Sequence, residues 1–364
     1  MKHEKYMQLA LELAEKGKGK TSPNPMVGAV VVKNGRILAT GYHKKFGGPH
    51  AEATALKACG NKAKGATLYI NLEPCGHFGK TPPCTDLIIR SGIKNVVCAT
   101  IDPNPQVNGK GIKTLKKNGV NVNLGVLELE AKKLNEVYFK YITTKLPFVM
   151  LEVVQTLDGR IIHQIESSGV KRRRIFSKLI RFGKPWADAV LCYANAPETD
   201  YLKTFRESAN SDRPKIIFVG TWREILSTVR RIRKNMHKNI IFVHTDLESV
   251  ERKKQNKFRM WRIKKRRNGE IDLVALLKKA GEDDITSLLI DGGSYIATSF
   301  LKQRLVDKIW YFISPDILGK GEEPFGDLGI KKISDSVILK NSECKQFKDG
   351  LLVVGYPAEA ESTS

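Results

Sequence analysis

Short apolar runs rich in β-branched residues recur along the whole chain, with helix-like stretches between them. The runs are 27–32, 68–72, 96–101, 149–154, 216–219, 240–243, 288–290, 309–313 and 351–354. The stretches 51–58, 85–91, 111–117 and 127–141 have the spacing of amphipathic helices. Strands alternating with helices build an α/β architecture with a largely parallel sheet, because each crossover helix covers one face and returns the chain in the same direction. At 364 residues the chain exceeds one core of about 100–200 residues. A boundary falls near Lys145–Pro147, where a long charged helical pattern ends and Pro147 stops it before the next strand. The expected division is 1–145, then 146–357, then a small polar tail, 358–364, that reads as disordered. No internal repeat is visible.

The first residues do not read as a signal peptide. Tyr6, Leu9, Ala10, Leu13 and Ala14 line one face of a charged helix. No apolar run is long enough to span a bilayer, so a cytoplasmic protein with no membrane partner is expected. The six cysteines are too sparse for a disulfide framework, and in a reducing compartment closely spaced cysteines point to metal or catalysis. The formal net charge of +24 admits a polyanion or a phosphorylated small substrate as partner. The excess is concentrated: residues 252–267 carry ten Lys or Arg and residues 171–184 carry seven, neither with an acid. Charge of this kind governs solubility and non-specific binding more than fold.

The chemistry gathers around PCGHFGKTPPC, Pro74 to Cys84. Cys84 opens a helical stretch after two prolines, and His50 opens another after Gly-Gly-Pro. A catalytic zinc takes three protein ligands and keeps the fourth position for water, and His50, Cys75 and Cys84 make such a set. A thiolate at the start of a helix is electrostatically supported. Glu52, two residues from His50, is the carboxylate placed to shuttle protons beside the activated water. H-x-E followed by P-C and a second Cys is the zinc nucleobase-deaminase signature. Two residues separate the cysteines in deaminases of cytidine and tRNA adenosine, whereas eight do so here. The longer loop carries His77 and Lys80, which either meet a phosphate or exocyclic group of the substrate or are simply solvated.

With TSPNPMVGAVVV (21–32), GYHKKFGGPHAE (41–52), EPCGHFGKTPPCTDLII (73–89) and DPNPQVNGKG (102–111), the first 145 residues resemble the bifunctional deaminase-reductases of riboflavin biosynthesis. The resemblance implies a cytidine-deaminase-like α/β/α domain that hydrolytically deaminates a phosphoribosylaminated diaminopyrimidinone. It places Asn24, His43, His77, Lys80, Asp102 and Asn104 around the pyrimidine and its ribose phosphate. Glu52 would take the water proton and pass it to the ring nitrogen and the leaving amine.

The second half has no GxGxxG after a strand. LPFVMLEVVQTLDGRI (146–161) and the stretch 288–326 are similar to the same family's reductase domain. That similarity implies a dihydrofolate-reductase-like fold that uses NADPH to reduce the ribosyl to a ribityl chain. By the same similarity Ser168, Lys184, Arg206 and Asp291 face the substrate, and Asp200, Gly292, Gly293 and Ser294 face the cofactor. Several positions depart from the family pattern. Asp291 stands for a usual Glu, Lys184 for Arg, Val170 for Trp, Ala196 for Thr, and Tyr193 for a glycine. A tyrosine where backbone must approach a cofactor is a steric objection.

Three readings follow: a bifunctional deaminase-reductase, a deaminase whose second domain has lost reduction, and an RNA-binding deaminase that uses the basic runs. Phe258 and Trp261 are the aromatics of 252–267, thin for a stacking platform, which disfavours nucleic acid. The oligomeric state stays open, a homo-oligomer included.

Overall fold

A computed structural model describes residues 2–76, 83–162, 187–194, 214–231, 239–244, 258–267, 269–291 and 293–358. The chain packs as two compact units, Met1–Leu146 and Pro147–Ser364.

In the first unit, α1 (Lys2–Glu15) precedes a hairpin of β1 (Gly28–Lys33) and β2 (Arg36–Tyr42). The two-residue turn is Asn34-Gly35, both at positive φ (51° and 76°), the pairing that matches the twist of a hairpin. Then come α2 (Ala51–Cys59), β3 (Thr67–Ile70), α3 (Cys84–Arg90), β4 (Asn95–Cys98), α4 (Lys110–Lys117), β5 (Asn121–Leu124), α5 (Glu128–Leu134) and α6 (Glu136–Thr144). The strand order is β2-β1-β3-β4-β5. β1 runs antiparallel to β2 and β3, and β3, β4 and β5 are parallel. Alternate β1 residues feed opposite faces, as a period of two requires. Ala29 and Val31 join Ala55, Leu56, Ile88, Ile112 and Leu115 on one side. Val30 and Val32 join Met7, Ala10, Leu11 and Ala131 on the other. The result is an α/β/α sandwich.

The second unit strings β6 (Phe148–Thr156), β7 (Ala189–Tyr193), β8 (Lys215–Val219), α7 (Trp222–Arg231), β9 (Ile240–His244), β10 (Arg259–Arg262), α8 (Leu273–Glu282), β11 (Ser287–Ile290), α9 (Gly293–Lys302), β12 (Lys308–Ser314), β13 (Ile338–Phe347) and β14 (Gly350–Ala358). The sheet order is β10-β9-β8-β7-β11-β6-β12-β14-β13. Every pairing is parallel except those of β14 with β12 and β13. The inner strands β9 and β11 are buried throughout, as coverage on both faces demands, and read as continuous apolar runs.

The α/β class holds in both units, with three corrections. The sheets are mixed: the first opens with an antiparallel hairpin and the second closes with one. The 127–141 helix is two helices, because Asn135 leaves the helical path (φ −105°) and spends its amide on another segment. The inner strand β7 was not read as a strand, and Tyr193, read as standing beside a cofactor, closes it. The edge strands β2, β5, β10 and β13 escaped the sequence reading since edges carry few apolar residues. The final strand runs on to Ala358, one residue into the stretch read as tail; residues 359–364 lie outside the described ones. Among the described residues no helix is long and apolar enough to cross a membrane.

Candidate active site

His50 is the residue that caps α2, with extended backbone (φ −69°, ψ 161°), but its side chain makes no capping hydrogen bond. The ring turns instead to the cysteines, with Nδ1 3.2 Å from Cys84 Sγ and 3.7 Å from Cys75 Sγ. Cys84 is the first residue of α3, and its backbone N–H donates to Cys75 Sγ (3.4 Å). The three ligand atoms lie within 4.8 Å of one another. Zinc bonds of about 2.3 Å to sulfur and 2.0 Å to nitrogen put N and S roughly 3.5 Å apart on a tetrahedron, which the two N···S separations straddle. One imidazole and two thiolates also suit the metal's preference, so the residues fit a zinc ion.

A hydrogen bond between the two side chains, donated by the Cys84 thiol, holds the Cys75 thiol down to about 4. Cys84 moves the other way, raised by that same bond and by burial. Glu52, in the first turn of α2, is 3% exposed, and burial pushes its carboxyl upward.

His50, Glu52 and Cys75 line a cavity of about 300 Å³ together with Asn24, His43, Asp102 and Asn104. His43 Nδ1 is 3.0 Å from the Pro49 carbonyl oxygen and Nε2 is 3.2 Å from Asn24 Nδ2. An oxygen acceptor at Nδ1 requires the proton there, so Nε2 accepts from the Asn24 amide. Asn24 therefore leaves its Oδ1 acceptor for a ligand. Burial lowers the pKa of the His43 imidazole. Asp102 and Asn104 sit on a turn closed by the Asn104 N–H donating to Asp102 Oδ1 (2.9 Å). His77 and Lys80 lie outside the described residues.

Four polar residues of this unit were not anticipated. Asn135, 2% exposed, grips the backbone of Met26 from both sides: it accepts from Met26 N (2.8 Å) and donates to Met26 O (2.9 Å). Asn71 does the same across Gly28 N and Met26 O, at 2.8 and 3.0 Å. Together they hold the segment that carries Asn24. Glu73 and Tyr138 act on the Asp102 turn. The signal for Asn135 was a poor helix former inside a helical pattern, and for Glu73 an acid at the end of an apolar strand.

In the second unit, Asp291 donates its N–H to Leu191 O (3.0 Å) at the carboxyl end of β11. Gly293 opens α9 at φ 73°, a conformation that favours glycine. Ser294 is half-buried in the next position. Asp291 and Gly293 border a small cavity of about 30 Å³ with Glu152, Ile161, Ala297 and Pro324. Backbone N–H groups at a glycine-opened helix, outside the carboxyl end of a parallel sheet, suit a dinucleotide phosphate. The Tyr193 hydroxyl donates to Glu224 Oε1 (2.7 Å), and Glu224 Oε2 accepts from Thr221 N–H (2.7 Å) and Oγ1 (2.8 Å). The ring is thus pinned to the start of α7, and burial with the adjacent carboxylate raises its hydroxyl to about 12. Ser168, Val170, Lys184, Ala196, Asp200, Arg206 and Gly292 lie outside the described residues.

Residues 1–100 match the cytidine and deoxycytidylate deaminase zinc-binding region, and residues 147–353 match the RibD C-terminal domain. The riboflavin biosynthesis protein RibD of Aquifex aeolicus is 42% identical over 349 residues, covering 96% of each chain. A deaminase/reductase from Thermotoga maritima, described as acting on diaminohydroxyphosphoribosylaminopyrimidine and 5-amino-6-(5-phosphoribosylamino)uracil, superposes with a TM-score of 0.80. It is 34% identical, with 98% of this chain and 99% of that one covered. RibD of Acinetobacter baumannii gives a TM-score of 0.82 at 27% identity, covering 98% and 99%.

Proposed function

This chain belongs to the RibD family of bifunctional riboflavin-biosynthesis enzymes, and from that premise we propose how its residues divide two consecutive reactions. The first unit hydrolytically deaminates 2,5-diamino-6-hydroxy-4-(5-phosphoribosylamino)pyrimidine. The second reduces the ribosyl of the product to a ribityl chain with NADPH. The full-length relatives carry both halves, so this reading replaces the deaminase-only and RNA-binding alternatives. A cytoplasmic site of action accords with six free cysteines.

The observation that carries the assignment of residues is the cavity where the His50, Cys75 and Cys84 ligand atoms adjoin buried Glu52. Zinc held by those three residues supplies Lewis acidity and brings the pKa of a bound water towards neutrality. Glu52 does the proton work: its carboxylate accepts one proton of the attacking water and delivers it to the ring nitrogen, then takes the proton of the hydroxyl left on the ring carbon and delivers it to the leaving amine as the C–N bond breaks. Asn24 Oδ1 accepts from a ring or exocyclic N–H. Asp102 and Asn104 hold the edges of the pyrimidine and ribose, while His77 and Lys80 take the phosphate. In the second unit Gly293 and Ser294 hold the NADPH phosphate with Gly292 and Asp200. Ser168, Lys184, Arg206 and Asp291 face the sugar that is reduced.

Mass spectrometry of the product, after the purified protein meets the diaminopyrimidine with and without NADPH, tests the pair of reactions. Deaminated product that gains two further hydrogens only with NADPH is expected. Product that stays unreduced with NADPH would mean that the Tyr193 and Ala196 departures have cost the second unit its reaction.

A further inference from the structure

Two buried side chains that neither bind the metal nor move the proton converge on one turn of the cavity wall. Glu73, 4% exposed, follows β3 and lies two residues before Cys75. Its Oε2 accepts from the backbone N–H groups of Asp102 (3.2 Å) and Gly109 (2.8 Å), and its Oε1 accepts from Ile112 N–H (3.2 Å). Its own N–H donates to Thr100 O (3.0 Å). All four bonds reach into the segment 100–112, so this carboxylate is a tether from the metal-ligand loop to the turn carrying Asp102 and Asn104. Tyr138 approaches the same turn from α6. Its hydroxyl lies 3.0 and 3.1 Å from the two carboxylate oxygens of Asp102, and both residues are buried. Glu73 thus holds the backbone of the turn and Tyr138 holds its carboxylate.

A purely structural tether has no reason to end on groups that face the cavity, yet Glu73, Tyr138, Asp102 and Asn104 all line it. Hydrogen bonds to a buried carboxylate are strong, and a buried donor left unmade is costly, so the geometry of the turn follows these two side chains. We propose that Glu73 and Tyr138 are positioning residues of the deamination, acting through Asp102 and Asn104 to set the pyrimidine against the metal ligands. The inference rests on the functional reading above.

The test uses the full chain and three readouts: steady-state deamination, zinc per chain as the control on folding of the first unit, and NADPH-dependent reduction of the deaminated pyrimidine as the control on the second. Glu73→Gln keeps one acceptor oxygen and turns the other into a donor among N–H groups. It should raise KM for deamination by about tenfold or more, on the strength of bonds to a charged group. Tyr138→Phe deletes one oxygen and keeps the ring, and should raise KM about three- to tenfold for the single bond lost. Both should keep kcat within about twofold, since uniform binding is what is lost, and both should keep zinc and the reductase rate. An unchanged KM in Tyr138→Phe overturns the proposal even if Glu73→Gln does not accumulate as folded protein. So does a fall in kcat at constant KM, which would put the pair in the chemical step. A wild-type chain that does not deaminate the pyrimidine sinks the functional reading itself, and is told apart because no variant is involved.

Discussion

At the scale of single residues, the proposed roles of Glu52 and of the ligand set His50, Cys75 and Cys84 divide between positions only two apart, Glu52 and His50. His50 Nδ1 faces both thiols, whereas Glu52 is buried beside the cavity, with its carboxyl raised by that burial. Glu52→Gln is nearly isosteric and removes the proton carrier without touching a ligand atom. Turnover should fall by about 10²–10⁴, the usual worth of a positioned acid–base group, while metal analysis still finds zinc bound. A zinc-free Glu52→Gln protein would contradict the assigned roles. Residues of this kind were legible because the signature is local: H-x-E and P-C each span a few positions, and the helix starts at Cys84 and after His50 are local as well. Asn135 and Tyr138 were not, since their meaning lies in partners 109 and 36 positions away.

Elements show how close packing delivers those residues. β2 and α2 touch at Gly41, where an added Cβ would lie 2.4 Å from the Ala51 carbonyl oxygen and 2.7 Å from Ala55 N. Both contacts are backbone of the helix that His50 caps, so they cannot yield as a flexible side chain would. Gly41→Ala should cost about 1–3 kcal/mol through overpacking, read by urea unfolding, and should impair deamination more than reduction because α2 must shift. Asn135→Ala leaves the Met26 N–H without its acceptor, while the Met26 C=O keeps the Asn71 amide as donor. It should destabilise the first unit by about 1–3 kcal/mol for the group stranded, seen as a lower denaturation midpoint of that unit. The sequence pattern of 127–141 resembled one helix because its charges and apolar residues keep helical spacing through the break. The break exists since the Asn135 amide gains more from a distant backbone than from continuing the helix.

For the molecule as a whole, the two units carry separate chemistries, each with its own sheet and core. Stripping zinc with a chelator should abolish deamination while NADPH oxidation continues when deaminated pyrimidine is supplied. Loss of both activities together would show that the second unit depends on the metal. The net charge of +24 predicts RNA binding only of the non-specific kind, lost steeply as salt rises from about 50 to 200 mM; retention in a filter assay at the higher salt would revive a nucleic-acid role. The α/β class was determined by sequence alone, and His50, Cys75 and Cys84 were already singled out there as a ligand set, because period and motif spacing act over a few residues. Tertiary structure alone decided that each sheet is mixed, that Tyr193 ends a strand, that the Asn24 amide nitrogen meets His43, and that Glu73 and Tyr138 hold Asp102. Those features depend on which edges pair and which buried polar groups must find partners, and such partners are chosen by the packed chain as a whole.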